Sequence, residues 1–374
     1  MNYRIIATTT MGLESILAKE LRHLGYDKVK VFDGKVEFDG DLTDVCKANL
    51  WLRTAGRIYI KVAQFHAITF DDLFDQTKIV EWERWIPKDG QFPVTKVSSR
   101  KSKLFSKSDC QAIVKKAIGN RLQSYYKHRS TETEKAEIAI RIQIDNDEVT
   151  LSIDSTGPGL NKRGYRAHND EASLRETLAA GMILISRWRT QKDILFDPFC
   201  GTGTICIEAG LIAENRAPGL TRSFVSEEWP AIPKKLWQNA REDAQAQIKR
   251  DVDFNIIGSD RNQRSLETAK KNADLAGLKT IHFEQRQLID VKPHGENGKI
   301  ICNPPYGQRL GNEEDIKLLY QDMGQLFFEQ FPDWTYYVLT AHEEFESLFG
   351  KKSRKHRKLY NGGIKCFFYQ YFDY

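Results

Sequence analysis

Apolar positions change their spacing several times along the chain, and each change marks an element. "YRIIA" (3–7) is an apolar run of strand length. Behind it Leu13, Ile16, Leu17, Leu21 and Leu24 recur at helical spacing. "VKVF" and "KVEF" then alternate on either side of Asp33-Gly34, a dipeptide suited to a tight hairpin. The first 40 residues therefore predict strand, helix and hairpin, a small α+β unit. A helix over "LTDVCKANLWL", a strand over "RIYIKVAQF", a helix over "FDDLFDQTKIVEWERW" and an extended "QFPVTKVSS" follow. "RKSKLFSKSDCQAIVKKAIGNRLQSYYKHR" predicts a loop entering a helix capped by Ser108 or Asp109. "AEIAIRIQIDNDEVTLSIDST" alternates as two strands that turn at Asn146-Asp147.

"TGPGLNKRGYRAHND" (156–170) breaks the pattern with Gly, Pro and basic residues and reads as a linker between domains. After it, strands and helices alternate. "SLRETLAAGMILISRW" is helical, "ILFDPF" extended, "GTICIEAGLIA" helical, "FNIIGSD" extended and "NQRSLETAKKNADLAG" helical. "GKIICNPP" is a strand, "EDIKLLYQDMGQLFFEQF" a helix and "WTYYVLTA" a strand. Such alternation predicts an α/β fold with a mostly parallel, doubly wound sheet. "RKLYNGGIKCFFYQYF" closes it as a terminal antiparallel pair.

Composition narrows the class. Hydrophobic residues are 40% and charged residues 29% of the 374, as in a globular protein. No run approaches the roughly 18 apolar residues of a membrane span, and "MNYRIIATTTMGLE" lacks the apolar core of a signal peptide. The six cysteines include no CxxC pair, which argues against zinc and for free thiols in a reducing cytoplasm. The net charge of +5 decides little, but its distribution is uneven. Lys96 to Arg129 holds ten Lys/Arg against one acid, Asp109, and "KKSRKHRK" (351–358) adds six with none. Such clusters suit phosphate.

"DPFCGTGTICIEAG" (197–210) stands between a strand and a helix. Gly201 and Gly203 let the backbone approach a ligand there. A dinucleotide fingerprint needs a third glycine where Cys206 stands, and no Gly-Lys-Ser follows, so neither NAD nor a nucleoside triphosphate is indicated. The next strand ends at Asp260, an acid placed to accept both hydroxyls of a ribose. Asp197, Gly201, Gly203 and Asp260 together suit an adenosyl ligand without a pyrophosphate, S-adenosylmethionine.

A third strand ends in "CNPPY". The amine of a nucleobase is a poor nucleophile, because its lone pair is delocalised into the ring. The Asn303 amide oxygen and the Pro304 carbonyl can accept its two N–H bonds and aim the lone pair at a methyl group. Pro305 stiffens the turn and Tyr306 offers a ring for stacking. Asn is no general base, so the chemistry is orientation and electrostatics. The base must leave its stack to enter.

These residues resemble the Asn-Pro-Pro-Tyr amino-methyltransferases. With "TMGLESILAKEL", "LNKRGYR", "LRETLAAGMI", "RAPGL" and "CNPPYGQRL", nearly the whole chain resembles the THUMP-domain RNA methyltransferases. Nearest are the large-subunit rRNA guanine-N2 methyltransferases of the RlmL type, in their short, unfused form. The resemblance implies a ferredoxin-like element over 1–50, an RNA-holding THUMP domain over 45–155, a linker over 156–170 and a class I, Rossmann-like methyltransferase over 171–374. It places Glu176 and Thr177 at the methionine end of the donor. Phe199, Cys200 and Thr204 line the glycine turn, with Arg261 beside the ribose acid. Gln287, next to Leu288, stands where relatives often carry an acid for the adenine amine. RNA would lie on Lys96, Arg100, Lys101, Lys103, Lys107, Lys115 and Lys116, on Arg163 and Arg166 of the linker, and on Lys351, Lys352, Arg354 and Lys355. By topology the last four are expected at the same sheet edge as Asn303. No metal is implied. The rival readings are a tRNA guanine methyltransferase, an adenine-amine methyltransferase and a non-catalytic RNA-binding protein.

Overall fold

A computed structural model describes residues 1–127, 136–166, 174–306 and 313–372. Arg129, residues 167–170 of the expected linker and Gly307–Leu310 of the last motif lie outside the described residues.

Strands β1 (Tyr3–Thr9), β2 (Val29–Phe32), β3 (Lys35–Gly40), β4 (Ala55–His66), β5 (Val94–Arg100), β6 (Ile140–Asp145) and β7 (Glu148–Asp154) build one sheet in the order β2-β3-β1-β4-β7-β6-β5. β4 joins its halves, pairing antiparallel with β1 on one side and β7 on the other. The segments expected to be ferredoxin-like and RNA-holding thus share a single sheet. Asn146 and Asp147 turn β6 into β7 with φ of 51° and 62°, the left-handed pair a two-residue hairpin requires. Helices α1 (Glu14–His23), α2 (Leu42–Trp51), α3 (Phe70–Lys78) and α4 (Lys107–Tyr126) cross between the strands. α3 is shorter than its periodicity predicts. Trp82 turns inward as part of a separate 3-10 turn and donates its indole N–H to the Thr77 carbonyl (2.8 Å). The N-cap of α4 is Ser106 rather than Ser108 or Asp109.

The second sheet holds β8 (Ile194–Asp197), β9 (Ile256–Asp260), β10 (His282–Gln285), β11 (Gly298–Cys302), β12 (Thr335–Thr340), β13 (Lys355–Asn361) and β14 (Ile364–Tyr371), in the order β10-β9-β8-β11-β12-β14-β13. β8 to β12 run parallel and β14 runs against them. Strand order reverses between β8 and β11, which opens a crevice at their carboxyl ends. Helices α5 (Glu176–Ser186), α6 (Thr204–Ala213) and, beyond α7 (Lys234–Ala246), α8 (Gln263–Leu275) belong to this unit. α5, α6 and α8 pack on one face, and α9 (Glu313–Gln330) and α10 (Phe345–Phe349) on the other. Among the described residues no helix is long and apolar enough to cross a membrane.

α7 has no counterpart in the sequence reading. It belongs to an insertion after α6 whose Phe224, Trp229, Ile232 and Trp237 bury themselves in the core of the first unit. Phe224 and Trp237 stack there at 5.0 Å. The expected linker is also different in character, because Leu160, Arg163 and Tyr165 are each no more than 2% exposed. Arg163 therefore cannot serve phosphate. Its Nε and Nη2 lie 3.3 Å from the two oxygens of Glu208 on α6, whose carboxylate is wholly buried.

The basic stretch 351–355 also lies elsewhere than expected. α10 carries the chain back from the carboxyl edge, so β13 runs parallel to β12 and reaches that edge only at its end. Lys355 is in register with Gln370, Gln370 with Tyr337 of β12, and Tyr337 with Ile301 of β11. Lys355 therefore enters β13 three strands across from β11 and level with Ile301, with Lys351, Lys352 and Arg354 before it, and the Gly362-Gly363 turn occupies the carboxyl edge instead.

Removing Arg163 would leave Glu208 as a buried charge without its counterion, a change that costs about 3–5 kcal/mol. Arg163→Ala is expected to lose that much in urea unfolding at neutral pH. A loss below about 1 kcal/mol would show that the pair does not hold the fold.

Candidate active site

Three neighbouring parallel strands end at the crevice. β8 delivers Asp197 and the glycine turn, β9 delivers Asp260 and β11 delivers Asn303. Gly203 caps α6 with φ 83°, and a Cβ there would stand 3.0 Å from the Ala269 Cβ and 3.1 Å from the Phe283 ring. Gly201 has φ 52°, and the direction of its missing side chain is open space. One glycine is needed for packing and the other leaves room for a ligand.

Asp260 ties two turns together. One carboxylate oxygen accepts the Gly201 N–H (3.0 Å) and the other the Asn262 N–H (2.8 Å). Each oxygen keeps a further lone pair. Asp197 is 1% exposed and accepts the Phe199 N–H (3.0 Å). Burial pushes its carboxyl up to about 8, with the Asp260 charge adding to the effect. Phe199 is half-buried, Cys200 and Thr204 are buried, Arg261 and Gln287 are exposed and Leu288 is partly covered.

Glu176 opens α5 with its carboxyl buried, and Thr177 beside it is buried as well. Burial raises the Glu176 pKa, and the Arg166 guanidinium opposes the rise. Arg166 donates to Glu176 Oε1 (2.5 Å), to the Leu174 carbonyl (2.6 Å) and to Thr204 Oγ1 (3.2 Å). That corrects its assignment to RNA: a buried carboxylate draws the guanidinium inward, to the donor side of the crevice.

At the kink after β11, Asn303 Oδ1 is buried and has no hydrogen-bond partner among the described residues. Its surroundings are secured. The Pro305 carbonyl accepts the Tyr320 hydroxyl (3.2 Å), which also meets Thr340 Oγ1 (2.8 Å). Tyr306 is 8% exposed, with its hydroxyl 3.5 Å from Asn361 Nδ2 and 3.7 Å from Cys366 Sγ. Asn361 Oδ1 in turn accepts the Arg175 N–H at the start of α5 (3.2 Å). Sequence reasoning missed Tyr320, Thr340 and Asn361. Only Tyr320 left a trace, as the hydroxyl in the otherwise apolar stripe Ile316, Tyr320, Met323, Phe327 of α9.

The model of an RMKL-like methyltransferase domain matches residues 163–370, with an RlmL ferredoxin-like domain at 4–59 and a THUMP domain at 67–154. The chain belongs to the RMKL-like RNA methyltransferases. It is 46% identical, over 99% of its length and 96% of the relative's, to YpsC of Bacillus subtilis (strain 168), named provisionally as an RNA methyltransferase. It is 34% identical over 97% of its length to the ribosomal RNA large subunit methyltransferase K/L of Syntrophotalea carbinolica, and spans 52% of that relative. A solved Listeria monocytogenes structure, named as a prediction an N6-adenine-specific DNA methylase, superposes with a TM-score of 0.93 at 46% identity, covering 100% of this chain and 97% of that one. SMU.472, solved in complex with SAH, gives 0.91 at 40% identity, covering 100% and 98%. The cofactor of this RMKL-like methyltransferase is S-adenosylmethionine. The open space at Gly201 and the free acceptors of Asp260 fit it.

The raised Asp197 pKa has a consequence for stability. The native state holds a proton that the unfolded chain releases near its ordinary pKa of about 3.9, so stability should fall as pH rises from there to about 8. Asp197→Asn removes that titration. Its stability between pH 5 and 8 should therefore decline less than that of the unaltered protein. Parallel curves from chemical unfolding would contradict a protonated Asp197.

Proposed function

We propose that this enzyme transfers the methyl group of S-adenosylmethionine to the N2 amine of a guanine in large-subunit ribosomal RNA. The observation that carries the reading is the buried Asn303 Oδ1 without a donor. A lone acceptor away from water costs about 1–3 kcal/mol, and an exocyclic amine entering the crevice would relieve it.

The donor brings an electrophilic methyl group. Asp260 would hold its ribose, Glu176 and Thr177 would stand toward its methionine end, and Gln287 and Leu288 would flank its adenine. The chain's part in the chemistry is placement. Asn303 Oδ1 and the Pro304 carbonyl accept the two amine N–H bonds and turn the nitrogen lone pair toward the methyl carbon. With the donor bound, the oriented nitrogen would take its methyl group, and the amine proton would then pass to water. Tyr320 fixes the Pro305 carbonyl, so the kink holds its shape while the base is seated. Tyr306 forms the wall against which the base rests.

RNA is held away from the chemistry, on the first unit. Lys96, Lys101, Lys103, Lys107, Lys115 and Lys116 are all exposed. Arg100 contributes less, because Asp145 takes its guanidinium in a two-point pair at 2.7 and 3.1 Å. The name of the Listeria structure favours adenine as a second reading, and an Asn-Pro-Pro-Tyr kink can seat that amine too. The RlmL ferredoxin-like and THUMP matches, with the rRNA-named relative, favour RNA, and the choice of guanine rests on the resemblance of the sequence motifs to the guanine-N2 enzymes.

Asn303→Ala should lower turnover by about 10²–10³-fold, the cost of removing one oriented polar group. Calorimetry should find its affinity for S-adenosylmethionine nearly unchanged. RNA with inosine at the target should accept no methyl group, since inosine lacks the amine. Near-normal turnover by the variant would end the amine-orientation mechanism.

Asp260→Ala should weaken donor binding at least tenfold, because bonds to a charged partner are worth about 1.5–3 kcal/mol each. Unchanged affinity would place Asp260 outside the donor site.

A further inference from the structure

Phosphate contacts leave one exposed group of the first unit unexplained. Phe105 lies in the loop between β5 and α4 with 80% of its surface open, while its neighbour Leu104 is 2% exposed. The loop therefore has an apolar anchor inside and an aromatic ring outside. The Ser102 hydroxyl (2.7 Å) and the Lys103 N–H (2.8 Å) both donate to Asp147 Oδ1. The Leu104 N–H donates to Ser102 Oγ (3.0 Å), and the Ser99 hydroxyl donates to the Leu104 carbonyl (2.7 Å). Lys101 turns the chain with φ 48°. These bonds fix where the ring stands.

A single exposed ring needs no explanation of its own. This one is held in place and bracketed by Lys101, Lys103 and Lys107, all exposed, with no acid between residues 100 and 108. The centre of a protein–protein interface is poor in lysine, because the ammonium groups would lose their water. A nucleic acid strand offers the complement of both features, flat faces at the bases and anions between them.

We propose that Phe105 is a stacking platform for an unpaired base of the RNA, with Lys101, Lys103 and Lys107 on the phosphates to either side. A base inside a duplex is already stacked on both faces, so the partner is a single-stranded end, bulge or loop. The inference rests on the reading of RNA as substrate and adds which part of it this loop grips.

The test uses the full chain and two RNAs, a blunt hairpin and the same hairpin with a short single-stranded overhang. The unaltered protein should bind the overhang RNA more tightly. Phe105→Ala should lose roughly fivefold to a hundredfold on that RNA and nothing on the blunt hairpin. The slope of log K against log salt should not change, because removing a ring releases no counterion. Phe105→Trp should keep the affinity, and Lys103→Ala with Lys107→Ala should flatten the slope. Equal affinity of the unaltered protein and Phe105→Ala for the overhang RNA overturns the stacking and leaves the RNA reading intact. An equal loss on both RNAs overturns the preference for unpaired bases. Failure of the unaltered chain to bind either RNA overturns both readings.

Discussion

A carboxylate cut off from water must find its counterions inside the protein. Glu208, one turn into the helix behind the glycine loop, finds Arg163 and the Tyr165 hydroxyl (3.1 Å). Arg163 also donates to the Arg53 carbonyl in the link between α2 and β4 (2.5 Å), and the Arg53 N–H meets Glu20 of α1 (2.7 Å). One buried network thus runs from the donor helix into the sheet that carries the lysines. The aromatic insertion of Phe224, Trp229 and Trp237 closes the same junction from the other side. The two units share a core and a set of charges, which fixes the span between the exposed lysines and the kink at Asn303.

Against that background the kink after β11 stands out by what it lacks. Glu208, Glu176 and Asp260 all have partners, and the Pro305 carbonyl and Tyr306 hydroxyl are held as well. Of these groups only Asn303 Oδ1 is buried without a partner among the described residues, where Ser259 Oγ, one residue before Asp260, is another such atom. A fixed acceptor waiting for a donor would need no rearrangement on the arrival of the proposed base, which is how oriented dipoles accelerate a reaction. The Asn361 amide links the two halves of the crevice, since it touches both the start of α5 and Tyr306.

Local chemistry made much of this legible in the sequence. The Asp33-Gly34 and Asn146-Asp147 turns, the βα alternation after residue 170 and the glycine loop follow from neighbours within a few positions. The crevice followed too, because strand ends in a doubly wound sheet meet at one edge. What failed depends on distant partners. Arg163 and Arg166 look like surface cations until Glu208 and Glu176 are known to be buried. Where Lys351–Lys355 emerge turns on whether one short helix carries the chain back from the carboxyl edge, and periodicity cannot say so. α7 went unseen because its partner is α2, nearly two hundred residues upstream, and Asn361 reaches Tyr306 only through the hairpin register.

We propose that the crevice presents the N2 amine of an RNA guanine to the methyl donor. Unmodified large-subunit rRNA, incubated with the protein and S-adenosylmethionine labelled in its methyl group, should be digested to nucleosides and resolved by mass. The label should appear in N2-methylguanosine and in no other nucleoside. Label in N6-methyladenosine, or its absence from rRNA together with transfer to tRNA, would contradict the account.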